Sequence, residues 1–463
     1  MGLSLKTRLC MKSLIPIWFL LAAVLTTLVC QIKSQANYTL LPLLPLTYAI
    51  CQAIGLAHAS KSSVTASIIN VCAFLRYVIL PFVFSIAPVY GYASYSCYDS
   101  ELIDKAIFFM CHELLAVTIF IVLYQKTKKY KSLMKKPIGN RMTNLEASIK
   151  KKNGFAGIIL FIVCAAGLVI LFPSALSQIS FIFIKSNTDL RVSGLSQSAS
   201  SVQMVLRQVF VIAVLSLFVV LVSKIKYRYF NRNSSLPLFA SLVLASICTS
   251  IIISEQRSSQ VYCAFAAIVL LSKLYPDKRK TILIAMAVVG AVVITLLTTY
   301  KTLYVFRYSS YMDALTNSEG FNLQLLAKNL EIYLLGPQTV ASSFDFSYTF
   351  PNTSLSQLLY DVARPFIGLS FLVKGSGMQL TSESFNLYVT KISTSGYLLP
   401  ITCQASLFIG TVLAPAFICI IYWLAYRIES LMFKSDSEYV TFFSAYVYIR
   451  LASCMVCSNL ATV

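Results

Sequence analysis

Arginines and carboxylates are the side chains on which chemistry could rest in this sequence, because other catalytic groups are scarce. There are two histidines, His58 and His112, which speaks against a histidine-held metal. His112-Glu113 opens a zinc-protease-like pattern, but Ala116 stands where its second histidine is needed. There is no glycine-rich phosphate loop and no readable Ser/His/Asp set. What remains is Arg191 after Asp189, Arg207, Arg257 beside Glu255, Arg307, and Arg364 three residues after Asp361. A guanidinium stays charged and matches a phosphate with two parallel hydrogen bonds, so such a set would suit a pyrophosphate. A carboxylate nearby (Glu255, Asp361 or Asp313) could take the proton of an attacking hydroxyl. The plainer readings are a turn held by Arg257 and Glu255, and snorkelling by Arg207.

Aromatic residues supply a second signal. In FDFSYTF, Phe344, Phe346 and Tyr348 alternate with small polar residues, and Asn386 follows in FNLYV. Sugar rings stack on such side chains, and nearby amides and hydroxyls can hydrogen-bond them. An interfacial aromatic belt explains the same pattern without a ligand.

The elements that must position these residues are membrane spans. The chain is 57% hydrophobic and 12% charged, against about 25% charged in soluble domains. Apolar runs recur at lengths able to cross a roughly 30 Å hydrocarbon core. They are Leu14–Cys30, Tyr38–Ala57, Val64–Tyr90, Ile103–Tyr124, Gly154–Phe172, Val209–Val222, Leu236–Ser254, a return ending at Leu274, Thr281–Thr299, Leu398–Tyr426 and Tyr439–Cys457. The expected fold is therefore an all-α polytopic integral membrane protein of about 11 transmembrane helices. Residues 1–463 form a single helical domain in this reading, with one long extracytoplasmic loop at 300–397. Arg76, Pro81 and Pro88 predict a tilted or kinked third span, and Glu113 is the conceivable partner for Arg76.

Charge orients the spans. The net charge of +21 would suggest nucleic acid in a soluble chain. Here most of the excess falls in short segments on one side, above all KTKKYKSLMKKPIGNRMTNLEASIKKK, which holds ten basic residues and one acid. Positive-inside sorting accounts for that without nucleic acid and puts the N-terminus in the cytoplasm. Binding of anionic membrane lipids is another use the segment could serve. The same sorting puts 300–397 outside, with six basic and six acidic residues. Within it, Leu323, Leu326, Leu330 and Leu334 predict one amphipathic helix ending at Gly336-Pro337. Leu355, Leu358, Leu359 and Val362 predict another ending at Pro365, and both would rest on the membrane surface or the bundle. Most of the 13 cysteines lie inside apolar runs and predict no disulfide framework.

Together, the eleven or so spans, the long late outer loop and its YLLGPQTVASSF stretch resemble the Wzy-type repeat-unit polymerases of bacterial O-antigen and capsule synthesis. SEQRSS in an outer hairpin, FNLYV, and GYLLPITCQASLFIGTVLAPAFICIIYWLAYR add to the resemblance. It implies an inverting, cofactor-free transferase with GT-C-like architecture in the bacterial cytoplasmic (inner) membrane. Such an enzyme moves a growing glycan from undecaprenyl pyrophosphate to a newly flipped lipid-linked repeat unit, alongside a possible chain-length regulator. In that picture Arg191, Arg257, Arg307 and Arg364 hold pyrophosphate, and Glu255, Asp361 or Asp313 is the base. Two other readings are an O-antigen ligase, whose loop usually displays a histidine absent here, and a lipid-linked oligosaccharide flippase or transporter.

Overall fold

The computed structural model of the chain describes residues 5–33, 37–88, 91–92, 95–96, 99–127, 155–171, 179–181, 201–228, 235–253, 257–299, 323–350, 354–364, 373, 377–390 and 397–456. They group into two compact units. The first takes Met1–Lys135, Phe321–Arg427 and Arg450–Val463, the second Lys136–Gly320 and Ile428–Ile449.

In the first unit, α1 (Leu5–Ile32) packs on α2 (Leu43–Ser62) and α3 (Val64–Ile86), and α2 packs on α4 (Ser100–Lys126). Polar caps start the later helices: Ser63 accepts from the Ala66 N–H at 3.2 Å, and Asp99 from the Leu102 N–H at 3.0 Å. The distortion in α3 is a π-turn at Leu75–Ile79, where the Leu80 N–H reaches back to the Leu75 carbonyl. Pro81, next in line, has no N–H to give the Tyr77 carbonyl, so an α-turn there would lack a bond in any case. Arg76, inside this turn, is buried in the bundle. A short ladder pairs β1 (Gly91–Tyr92) with β2 (Tyr95–Ser96) between α3 and α4.

The second unit holds α5 (Phe155–Leu171), α6 (Ser201–Arg228), α7 (Leu236–Ser250), α8 (Arg257–Leu274) and α9 (Arg279–Thr299). Here β3 (Ile179–Phe181) pairs antiparallel with β4 (Ile251–Ile253). In α6, Ser223 donates to Glu438.

Four helices fall within the late loop: α10 (Leu323–Leu334), α11 (Pro337–Thr349), α12 (Leu355–Ala363) and α13 (Thr381–Thr390). Then come α14 (Ile401–Lys434), broken at Gly410 (φ 79°), and α15 (Glu438–Ala452). Residues of α14 up to Arg427 belong to the first unit and the rest to the second.

Each apolar run named from sequence contains a helix, and among the described residues five helices are long and apolar enough to cross a membrane. They are Leu43–Ser62, Val64–Ile86, Ser100–Lys126, Val209–Tyr227 and Ile401–Lys434. Pro16–Ile32, Leu236–Ser250 and Gln260–Leu274 are shorter apolar helices. The run from Leu236 leaves its helix early, because Ile251–Ile253 joins the ladder with β3. Several helices run beyond the expected ends: α1 begins at Leu5 and α6 at Ser201, and α14 continues to Lys434. Hydropathy marks where the apolar surface stops, whereas the backbone ladder continues while good helix formers follow. The expected helices at 323–334 and 355–362 are α10 and α12. Leucine spacing does not foretell α11, because FDFSYTF alternates with period 2. Its start is nonetheless marked, with Gly336 at the N-cap and Pro337 in the first turn.

Candidate functional site

The site grows from the turn between α10 and α11. There α10 ends in a left-handed residue, Leu335 (φ 54°), and the Gly336 N–H returns to the Glu331 carbonyl at 3.0 Å. Glycine usually takes the left-handed place after a helix. A leucine there costs on the order of 1–2 kcal/mol, so its surroundings must hold it. Arg76 does so: its Nε donates to the Leu335 carbonyl at 3.1 Å, and Leu335 is itself buried. The same guanidinium pairs with Glu113 Oε2 at 3.0 Å and donates to the Met455 carbonyl at 3.3 Å. Both members of the pair are 1% exposed. The partnership of Arg76 with Glu113 suggested by sequence is thus formed, and it also clamps the turn.

Gly336, at the N-cap of α11, has no side chain with which to cap, so Glu331 of the preceding helix caps in its place. The Glu331 Oε1 accepts from the Thr339 N–H at 2.7 Å and from the Thr339 hydroxyl at 3.0 Å. Glu331 is fully buried, and among the described residues its Oε2 has no hydrogen-bond partner. Burial pushes its carboxyl up to about 7, against the opposing pull of the Thr339 bonds and Arg76. A Cβ at position 336 would run into this carboxylate and come within 2.7 Å of Leu80 Cδ2.

Asp361, in α12, likewise caps the helix that follows it. Its Oδ1 accepts from the Thr381 N–H at 3.0 Å, at the start of α13, and from Gln357 Nε2 at 3.2 Å. Its Oδ2 accepts from Gln404 Nε2 at 2.7 Å, in the first turns of α14. Asp361 is 1% exposed. With both oxygens engaged, it ties the late segment to a membrane-length helix.

From the turn, α11 runs along α4. Phe344 meets Phe109 edge-on at 5.3 Å, and Lys105 Nζ donates to the Tyr348 hydroxyl at 3.2 Å. Lys105 also lies 4.9 Å from the Phe344 ring centre. The other face of α11 meets α13. There Phe346 lies 4.9 Å from Phe350 and 5.5 Å from both Phe385 and Tyr388. A shallow concavity of about 400 Å³ opens between them, lined by Phe346, Thr349, Phe350, Ser384, Leu387 and Tyr388. The Tyr388 hydroxyl donates to Asp345 Oδ2 at 2.8 Å.

The residues singled out from sequence are distributed unevenly over this frame. Phe344 and Phe346 are buried, so Phe344 serves packing against α4 while Phe346 forms the floor of the concavity; Tyr348 is exposed. Asn386 donates to the Ser382 carbonyl within its own helix. Arg364 closes the end of α12, half-buried. Arg257 begins α8. Glu255, Asp313, Arg191 and Arg307 lie outside the described residues. Sequence reasoning missed Glu331, Gln404, Phe350 and Tyr388. A carboxylate five residues before a Gly-Pro helix start was the available signal for Glu331. Nothing local marks Gln404. Among the described residues, no group of three His, Cys, Asp or Glu side chains could hold a metal ion.

Fold and site define a helical protein with helices able to cross a membrane and a late segment folded onto them. Comparison with protein-family models, curated proteins and solved structures finds no match.

Proposed function

We propose that this chain polymerises lipid-linked oligosaccharide repeat units. It would transfer a growing glycan from undecaprenyl pyrophosphate to a new lipid-linked unit at the outer face of the bacterial cytoplasmic membrane. In this reading the eleven apolar helices all cross, the N-terminus is cytoplasmic, and α10 and α11 form an element that enters the bundle from outside and leaves on the same side. The observation that carries the proposal is the aromatic and hydroxyl-lined concavity between α11 and α13, on a segment anchored to α3, α4 and α14. Phe350 and Tyr388 offer ring faces to a sugar, and Thr349 and Ser384 offer hydroxyls. The sequence resemblance supplies the reaction class.

The donor is already activated, so the protein's task is to orient two lipid-linked glycans and stabilise charge on the departing pyrophosphate. Arg191, Arg257, Arg307 and Arg364 are the proposed pyrophosphate ligands, and Glu255 or Asp313 the proposed base. Asp361 would join them as base only by giving up its bonds to Gln404 and Thr381. A deletion strain tests the reading. Loss of a polymerase leaves surface lipid bearing one repeat unit, whereas loss of a ligase or flippase removes even that. Chains of normal length in the deletion strain would refute the proposal.

A further inference from the structure

We infer that Cys248 and Cys263 form an oxidisable dithiol that closes to a disulfide across the α7–α8 hairpin. Both thiols are free and buried, and their sulfurs face each other at 3.5 Å. The pairing belongs to a continuous interface. Ser241, Ala245 and Cys248 recur on α7 at helical spacing, and Cys263, Ala266, Ala267 and Leu270 do so on α8; all are buried. Alanines at 245, 266 and 267 let the two backbones approach closely. At the other end of the hairpin the Tyr275 hydroxyl lies 3.0 Å from the Ser241 hydroxyl and donates to the Pro237 carbonyl at 3.2 Å. Those bonds resist sliding of one helix along the other, which keeps the thiols opposed.

A disulfide bond is about 2.05 Å long, so closure brings the sulfurs roughly 1.5 Å nearer. Both S–H bonds break and one S–S bond forms. Two protons and two electrons pass to a membrane-soluble quinone, which leaves as the hydroquinone. The oxidised pair pins α7 to α8 near the end of α8 that Arg257 begins. Under the proposed topology this end of the hairpin faces the oxidising side of the membrane, where disulfides persist. The dithiol itself stands independently of the glycan reading.

The test uses membranes containing the full chain, treated with copper–phenanthroline in place of the quinone. Free thiols are blocked with N-ethylmaleimide in detergent that unfolds the protein, then disulfides are reduced and tagged with maleimide-polyethylene glycol. Wild type should gain two tags per chain, and C248A or C263A should gain none. Equal tagging of wild type and both variants overturns the inference, as does wild type without tags. Mass spectrometry of the unreduced digest should show one cross-linked peptide joining the two cysteines; a cross-link to any other cysteine overturns it too.

Discussion

Replacing Arg76 by methionine should loosen the late segment from the bundle. Methionine fills similar space, so the effect reports the lost bonds more than a cavity. The change strands the Glu113 carboxylate, 1% exposed, and removes donors from the Leu335 and Met455 carbonyls. Breaking one side of a buried pair costs about 3–5 kcal/mol, and each abandoned carbonyl adds about 1 kcal/mol or more. Proton uptake by Glu113 would moderate the sum. At about 2–4 °C per kcal/mol, the melting temperature of the detergent-solubilised protein should fall by on the order of 10 °C. Adding Glu113→Gln removes the stranded charge and should restore roughly half of the loss. Protease cutting within 323–349 should rise in Arg76→Met and fall again in the double variant. If the single variant melts with wild type, or the double variant is worse than the single, the clamp does not hold the segment.

Gly336→Ala should be poorly tolerated, because its methyl meets the Glu331 carboxylate and Leu80; a loss of folded yield by fluorescence-detected size exclusion is expected, and normal yield would contradict it. Asp361→Ala leaves Gln404 Nε2 and the Thr381 N–H without their acceptor, a cost of about 2–4 kcal/mol for two unmet buried donors. Thermal melting measures it, and Asp361→Asn should lose less. Tyr388→Ala and Phe350→Ala, which line the concavity, should shorten surface glycan chains at unchanged membrane level; an unchanged ladder on a gel would remove the concavity from the site. Glu331 binds its proton more tightly folded, at about 7 against the ordinary 4.5. Its contribution is therefore full below about pH 4.5 and is lost as pH rises through 7. Melting of wild type between about pH 6 and 8 should fall relative to Glu331→Gln, and parallel curves would refute the shift.

Much of this architecture was legible in the chain. The apolar runs required helices, since an unpaired backbone cannot sit in hydrocarbon, and the leucine spacing at 323–334 and 355–362 marked two helices of the late segment. The buried connections were less legible. Arg76 and Leu335 lie 259 residues apart, and no local pattern says that a guanidinium on α3 will hold a left-handed leucine after α10. FDFSYTF alternates with period 2 along the chain, yet wound onto a helix its Phe344 and Phe346 face different partners, Phe109 and the pair Phe385 and Tyr388.

By itself, then, the sequence determined the helices and their apolar lengths, the clustering of basic residues into a few polar segments, and the residue types available for chemistry. Those properties depend on composition and spacing along a single segment. Tertiary structure alone decided what each polar group does inside. It made Glu331 and Asp361 caps for the helices that follow them, Arg76 a clamp, and Phe346 the floor of a concavity. The physical reason is that a buried polar group must find its partner in space, and folding, not chain order, supplies that partner.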